Sequence, residues 1–175
     1  NYFVNTAETF DLEVVFVLDF TASMAEATVP GYRNGIDAMV QTFIGSLGVI
    51  PKAHRIGVVE FHDKNAKPKV LSPITTDRTS IKDSVEGFHG LTDSQYIPGF
   101  SRVWDSIAIA ADLFSEKSYT TRAVVVITDG RDTSSDIDRE RAFDIVSAEN
   151  REIQTYVMGV GKVYEEDALK KLVLS

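Results

Sequence analysis

Two short apolar runs, each leading into an aspartate, constrain the fold most strongly. The first run, LEVVFVLD, ends at Asp19, and the second, RAVVVITDG, reaches Asp129. Both are rich in β-branched residues and almost continuously apolar, which is typical of strands covered on both faces. Parallel strands of this kind need helical crossovers between them. The two runs therefore predict an α/β fold.

The remainder of the chain alternates between helical and strand patterns. The predicted helices are 30–47, 76–88, 102–116, 136–150 and 165–174, and the further predicted strands are 54–62, 67–75 and 152–161. Pro68 and Pro73 mark 67–75 as an edge strand, since proline cannot donate to an interior ladder, and its short distance from 54–62 predicts an antiparallel hairpin. We expect Asp77 to cap the helix that follows it, and Asp132 and Asp136 to cap the helix at 136–150.

This order predicts a doubly wound α/β fold: a mostly parallel central sheet with one antiparallel edge strand and helices on both faces. With 175 residues, 43% hydrophobic and 25% charged, the composition is typical of one globular domain.

Charge and composition exclude several classes of function. The net charge of −8 opposes binding to phosphate backbones, so we expect no nucleic-acid partner. The absence of cysteine excludes disulfides and thiolate metal sites. The sequence has no apolar stretch of bilayer-spanning length, so we expect no direct membrane insertion, and residues 1–11 lack the pattern of a signal peptide.

Polar side chains follow the first apolar run at alternate positions. These are Asp19, Thr21 and Ser23. In an extended or turning segment, alternate residues point their oxygens to one side. The carboxyl ends of parallel strands meet at one sheet edge, where ligands of open α/β sheets bind, and Asp129 ends a strand at the same edge. Hard oxygen ligands suit magnesium, manganese or calcium, although Asp and Thr after a strand are also ordinary capping and turn residues.

Three segments in this order, VVFVLDFTASM, GFSRVWDSIAIA and AVVVITDGRD, resemble the von Willebrand factor A domain, also called the integrin I-like domain. The resemblance extends from about Leu12 to the end of the chain. It implies a Rossmann-like fold with a metal-ion-dependent adhesion site, in which a divalent cation is held by a D-x-S-x-S motif, a later threonine and a strand-ending aspartate.

Carried onto this sequence, the resemblance implies a metal site at Asp19, Thr21, Ser23, Ser101 and Asp129. Thr21 replaces the first serine of the motif, and Ser101 stands where the family has threonine. Thr92 and Ser94 are the alternatives to Ser101, because the preceding loop is long. The implied ion is Mg²⁺ or Mn²⁺, with Ca²⁺ also possible.

The implied function is metal-dependent protein binding or adhesion rather than catalysis. The cation binds an acidic side chain of a partner protein, and Tyr96 and Phe100, on the loop before Ser101, are candidates for contacts with that partner. One alternative is the same module within an intracellular chelatase or ATPase assembly. Another is a magnesium phosphohydrolase, which is disfavoured because Thr21 stands where a second carboxylate would be needed and no glycine-rich phosphate loop follows the first strand.

The resemblance also sets expectations for the domain and its location. We expect residues 1–175 to form a single domain, with 1–11 as a lead-in and without the further strand and last helix that many relatives carry. The domain is expected to belong to a larger multidomain protein at the cell surface or outside the cell.

Overall fold

A five-stranded sheet forms the centre of the domain. The computed structural model describes residues 12–62, 66–89, 101–115, 121–130, 132–148 and 151–161. Among these residues the strands are β1 (Leu12–Asp19), β2 (Arg55–Phe61), β3 (Lys69–Thr75), β4 (Thr121–Thr128) and β5 (Ile153–Gly159), in the order β3-β2-β1-β4-β5. All neighbouring pairs are parallel except β2 with β3. The predicted fold class and the antiparallel edge strand are confirmed.

Helices cover both faces of this sheet. They are α1 (Ala22–Glu26), α2 (Gly35–Leu47), α3 (Arg78–His89), α4 (Val103–Ala111) and α5 (Arg139–Ser147). Phe43 of α2 and Ile81 of α3 belong to the apolar cluster on one face, while Ile107 of α4 and Ala142 of α5 belong to the cluster on the other. Among the described residues, the structure contains no helix long and apolar enough to cross a membrane.

Strand β1 shows why its sequence is apolar at nearly every position. Phe16 and Leu18 pack into the cluster beneath α2 and α3, whereas Val15 and Val17 pack into the cluster beneath α4 and α5. Because β1 lies in the middle of the sheet, both of its faces are removed from water.

Two details of the segment after β1 differ from the prediction. Helix α2 begins at Gly35 rather than near Pro30, since Asn34 acts as the N-cap and its side chain accepts a hydrogen bond from Asp37 N at 2.9 Å. The short helix α1 was not predicted at all. Its five residues are too few for periodicity to reveal.

Of the three capping predictions, that for Asp77 is confirmed and those for Asp132 and Asp136 are wrong. Asp77 does cap α3, because its Oδ1 accepts hydrogen bonds from Thr79 N and Ser80 N, both at 3.1 Å. Helix α5, however, is capped by Asp138, which accepts from Arg141 N at 2.8 Å. Asp132 instead caps α4, and Asp136 forms an ion pair with Arg102 at 3.1 Å.

The predicted helix at 165–174 and the lead-in at 1–11 lie outside the described residues.

Candidate metal site

The candidate site lies where the direction of winding in the sheet reverses. From β1 the chain passes through α2 to β2 on one side, and it later returns to β4 on the other side of β1. Such a reversal leaves a crevice beyond the carboxyl ends of the two central strands, which is where open α/β sheets bind ligands. Asp19 is the last residue of β1, and Asp129 directly follows β4.

Asp19 is completely buried and accepts hydrogen bonds at both carboxylate oxygens. Its Oδ1 accepts from Thr21 N at 2.9 Å and from Thr21 Oγ1 at 2.6 Å. Its Oδ2 accepts from Thr128 Oγ1 at 2.6 Å. These bonds hold the carboxylate in one orientation at the carboxyl end of β1.

Thr128 was missed in the sequence, although the strand register places it. The parallel pairing of β1 with β4 sets Leu18 beside Ile127, so the next residues along the two strands, Asp19 and Thr128, are neighbours on the same face of the sheet. The available signal was the final position of the second apolar run, next to Asp129. It becomes informative only when β1 and β4 are known to be adjacent.

The hydrogen bonds continue outward from Asp19 to solvent. Thr21 Oγ1 lies 3.0 Å from Ser23 Oγ, and Ser23 Oγ donates to Asp129 Oδ1 at 3.1 Å. Asp129 is half-buried and Ser23 is exposed. A continuous chain of oxygens therefore runs from the buried carboxylate of Asp19 to the surface, and it joins four of the five predicted ligands.

The chain of oxygens has fewer hydroxyl protons than oxygen–oxygen contacts when both aspartates are ionised. Its four oxygen–oxygen contacts are Thr128–Asp19, Thr21–Asp19, Thr21–Ser23 and Ser23–Asp129. Each hydroxyl group supplies one proton, which makes three for the four contacts. With Thr21 donating to Asp19 and Ser23 donating to Asp129, the lone pairs of the two hydroxyl oxygens face each other. An added proton or a cation would satisfy this arrangement.

The raised pKa values of the two carboxyl groups also favour an added positive charge at the site. Burial, followed by the charge of Asp129, raises the pKa of Asp19 to about 7, against the opposing effect of the hydrogen bonds from Thr128 and Thr21. Burial also raises the pKa of Asp129, partly offset by the hydrogen bond from Ser23. Both anions lie in surroundings that favour an added positive charge.

The three residues of the first motif converge at the start of a helix, which supplies the turn in the predicted extended or turning segment. Thr21 is the N-cap of α1 with extended backbone angles, and Ser23 lies in the first turn of that helix. The extended residue turns its hydroxyl toward Asp19, and the helical turn brings Ser23 to within hydrogen-bonding distance of Thr21.

Ser101 is attached to the loop that follows β4. Its backbone N–H donates to Thr133 Oγ1 at 2.9 Å, and its carbonyl oxygen accepts from Thr133 N at 3.0 Å and Ser134 N at 3.1 Å. Its described hydrogen bonds thus reach the segment just after Asp129, not the oxygen chain itself. Ser101 is buried and immediately precedes α4.

Four other candidates of the sequence analysis lie outside the described residues. These are Thr92, Ser94, Tyr96 and Phe100. The assignments of Thr92 and Ser94 as alternative ligands, and of Tyr96 and Phe100 as partner contacts, stay predictions.

The donor set fits a hard divalent cation. Within the described ranges, no group of three or more His, Asp or Glu side chains is placed to hold a metal. The candidate cluster instead combines two carboxylates with hydroxyl groups, and oxygen ligands of both kinds suit Mg²⁺ or Mn²⁺. A bound cation would relieve both the proton shortage and the effects that raise the pKa values of Asp19 and Asp129.

Comparison with solved structures identifies similar folds. The chain resembles the conserved hypothetical protein BatB of Bacteroides thetaiotaomicron, with a TM-score of 0.71, 18% identity and coverage of 93% of this chain and 85% of that one. An aerotolerance-related membrane protein of Bacteroides fragilis gives a TM-score of 0.67 and 27% identity, covering 86% of this chain and 68% of that one.

A further similar structure is proximal thread matrix protein 1 of the mussel byssus, described with a zinc-occupied MIDAS motif, the metal-ion-dependent adhesion site. Its TM-score is 0.68 at 16% identity, and the match covers 95% of this chain but only 40% of the mussel chain. No curated protein sequence matches significantly.

The sequence profile of the von Willebrand factor type A domain matches residues 13–175, which is nearly the whole chain. The strand order, the reversal of winding beside β1 and the position of the aspartates agree with this match. The chain belongs to the von Willebrand factor type A domain family.

Proposed function

We propose that this domain is a metal-dependent protein-binding module in which a divalent cation captures an acidic side chain of a partner protein. Domains of this family are mostly protein-interaction modules rather than enzymes, and they commonly occur in multidomain proteins. In this proposal Thr21, Ser23 and Ser101 bind the cation directly, and Asp19 and Asp129 hold it either directly or through water molecules bound to it. The observation that carries the proposal is the oxygen chain from Asp19 to Asp129, whose contacts outnumber its hydroxyl protons.

The chain's own residues prepare the site for a cation. Thr21 Oγ1 donates a 2.6 Å hydrogen bond to Asp19 and Ser23 Oγ donates a 3.1 Å hydrogen bond to Asp129, so that both hydroxyl oxygens present lone pairs. A divalent cation, when bound, supplies a strongly electrophilic position that attracts an external carboxylate oxygen. Hydroxyl ligands are neutral and therefore leave much of its charge available to a partner.

The burial of the site residues indicates the side from which a partner can reach the cation. Asp19 is fully buried, Asp129 is half-buried and Ser23 is exposed. A partner therefore approaches from the side of Ser23 and Asp129, while Asp19 remains out of its reach. Tyr96 and Phe100 supply apolar contacts at the rim in this proposal.

The proposed ion is Mg²⁺ or Mn²⁺, and Ca²⁺ is a further candidate. The mussel protein with a zinc-occupied MIDAS motif supports divalent binding in a similar fold. The extracellular or cell-surface location belongs to the same proposal, and fractionation of the source cells would test it.

Thermal melting tests the metal site. Binding to the folded state alone adds about 2.7 kcal/mol of stability when the free metal exceeds its Kd a hundredfold. We expect millimolar Mg²⁺ or Mn²⁺ to raise the melting temperature above that in chelator, and Asp19→Ala to abolish the difference. Asp77→Ala, which removes a helix cap remote from the site, is the control and keeps the difference. Equal metal shifts in wild type and Asp19→Ala would contradict the proposal.

Partner capture and catalysis require separate assays. A partner isolated by pull-down in Mg²⁺ should dissociate in chelator, fail to bind Ser23→Ala, and lose binding when its critical Glu or Asp becomes Gln or Asn. Binding that persists in chelator would refute the capture mechanism. We expect no turnover of phosphoesters, because Thr21 stands where a magnesium phosphohydrolase would need a second carboxylate as acid and base; a metal-dependent hydrolysis lost in Asp19→Asn would show otherwise.

A further inference from the structure

Helix α4 receives its N-terminal cap from a distant part of the chain. Arg102, the residue at its N-cap position, makes no capping hydrogen bond with its side chain. The first N–H groups of the helix are satisfied by the loop after β4: Val103 N and Trp104 N donate to Asp132 Oδ1 at 2.7 and 3.2 Å, and Asp105 N donates to Ser135 Oγ at 3.1 Å. Such orphan groups are normally capped locally.

The same loop holds the residue that precedes the helix. Thr133 accepts from Ser101 N at 2.9 Å through its hydroxyl and donates to Ser101 O at 3.0 Å through its backbone. On the other side, Asp105 accepts from Asp136 N at 3.0 Å and from Ile137 N at 3.2 Å. We call residues 132–137 together with 101–105 the clasp. It joins the start of α4 to the segment that begins three residues after Asp129.

We infer that Asp132 and Thr133 are positioning residues of the metal site, which set the place of Ser101 relative to Asp129 without binding the metal. The inference rests on the proposed function, in which Ser101 and Asp129 belong to the site of one cation. Metal ligands must be held to within about 0.2 Å of their ideal distances. Two hydrogen bonds between Thr133 and Ser101, and two that α4 donates to Asp132, provide that restraint between chain segments that are 28 to 32 residues apart.

A purely electrostatic role for Asp132 predicts a different outcome. If its negative charge attracted the cation through space, Asn would be as harmful as Ala. If Asp132 acts through the two N–H groups it accepts, Asn keeps an acceptor oxygen in the same place and is nearly as good a cap. Comparing the two substitutions therefore separates position from charge.

The experiment is a titration of the metal-free full chain with Mn²⁺ alone, at a temperature well below the melting temperature. Binding is measured by calorimetry and by the EPR signal of free Mn²⁺. We expect Asp132→Ala to weaken Mn²⁺ binding about tenfold and Asp132→Asn to stay within about threefold of wild type, as for residues that orient metal ligands. Thr133→Val should weaken binding similarly, and Thr133→Ser, which keeps the hydroxyl, should restore it.

Asp138→Ala is the matched control for a loss of stability. Asp138 caps the neighbouring helix α5 in the same manner, by accepting from Arg141 N at 2.8 Å, but it has no described hydrogen bond to α4 or to Ser101. Both alanine variants should lower the melting temperature, and only Asp132→Ala should lower the Mn²⁺ affinity. An equal loss of affinity in Asp138→Ala would overturn the positioning role.

The variant Asp19→Ala separates failure of the positioning role from failure of the proposed metal site. Loss of Mn²⁺ binding in Asp19→Ala together with wild-type affinity in Asp132→Ala and Thr133→Val would overturn the positioning role alone. Equal binding by wild type and Asp19→Ala would overturn the proposed metal site and this inference with it. If Asp132→Ala does not fold, the pair Thr133→Val and Thr133→Ser decides the question.

Discussion

At the scale of single residues, Asp19 combines complete burial with the charge of a neighbouring carboxylate. Burial alone disfavours its ionised form, and Asp129 disfavours it further. The hydrogen bonds from Thr21 and Thr128 oppose both effects but do not cancel them, since the pKa stays raised to about 7. The metal-free site therefore stores an unfavourable electrostatic interaction that a cation would relieve.

This interaction predicts how stability depends on pH without metal. Asp19 has a pKa of about 7 in the folded state, against about 3.9 in an unfolded chain. The folded state thus binds more protons between these values, so the contribution of Asp19 to stability is lost as pH rises through about 7 and is restored toward pH 4. A shift of this size corresponds to roughly 4 kcal/mol.

Urea unfolding in chelator between pH 5 and pH 8 measures this dependence. Because other groups also titrate, the quantity of interest is the difference between wild type and Asp19→Asn, which stays neutral. We expect the variant to gain stability relative to wild type as pH rises, and to bind no metal. A difference that does not change with pH would show that Asp19 titrates normally.

Thr128 offers a second residue-scale prediction. Thr128→Val removes the 2.6 Å hydrogen bond to Asp19 Oδ2 while keeping the branched shape of the side chain. We expect a loss of about 1 to 3 kcal/mol in the free energy of unfolding, since a buried charged acceptor loses a partner. Thr128→Ser keeps the hydroxyl and is the control. Equal urea midpoints for Val and wild type would mean that the bond contributes nothing measurable.

At the scale of elements, the short helix α1 and the start of α2 lie unusually close together. A Cβ atom on Gly35, the first residue of α2, would come within 2.7 Å of Met24 O and 2.9 Å of Ala27 Cβ. Met24 belongs to α1, which also carries Ser23. The glycine therefore permits the contact between the two helices that supports one side of the metal site.

Replacing either of two glycines in α2 by alanine should change the stability of the domain in opposite directions. Gly35→Ala should destabilise the domain by roughly 1 to 3 kcal/mol, because its Cβ meets backbone and cannot be accommodated by a side-chain movement. Gly45→Ala, with nothing within 4 Å of its Cβ, should stabilise α2 by about 0.5 to 1 kcal/mol. Chemical unfolding of both variants measures the effects, and two changes of the same sign would contradict this account of α2.

At the scale of the whole molecule, the net charge of −8 opposes the kind of partner that the proposed site would bind. An acidic partner is repelled at long range and attracted only near the cation. Since the Debye length falls from about 30 Å at 10 mM salt to about 10 Å at 100 mM, added salt removes the repulsion before it affects the short-range contact.

Salt should therefore accelerate association. We expect the association rate constant of an isolated acidic partner to rise severalfold between 10 and 100 mM NaCl at constant Mg²⁺, with a smaller change in the dissociation rate. Surface plasmon resonance measures both rates. A steady fall in the association rate would indicate that attraction, not repulsion, governs the approach, and that the partner surface is basic.

Most of the elements were accessible from the sequence, because each rests on a local signal. The continuous apolar run at 12–19 reports a strand covered on both faces, and Asp77 sits where a helix must begin. The boundaries were less accessible. Helix α2 is capped by Asn34 and does not begin near Pro30. Several residues of this segment could precede a helix, and the cap is the one whose side chain accepts a hydrogen bond from an N–H group of the first turn, here Asp37 N.

The sequence by itself determined the fold class, the family and the residues of the candidate motif, since strand and helix periodicity and the D-x-T-x-S spacing lie within short segments. The tertiary structure alone decided which distant segments meet. It paired Asp19 with Thr128 through the β1–β4 register and gave the cap of α4 to Asp132. The physical reason is that a sequence pattern reports whether a segment is buried or capped, while the identity of the partner follows from the strand order and packing of the whole chain.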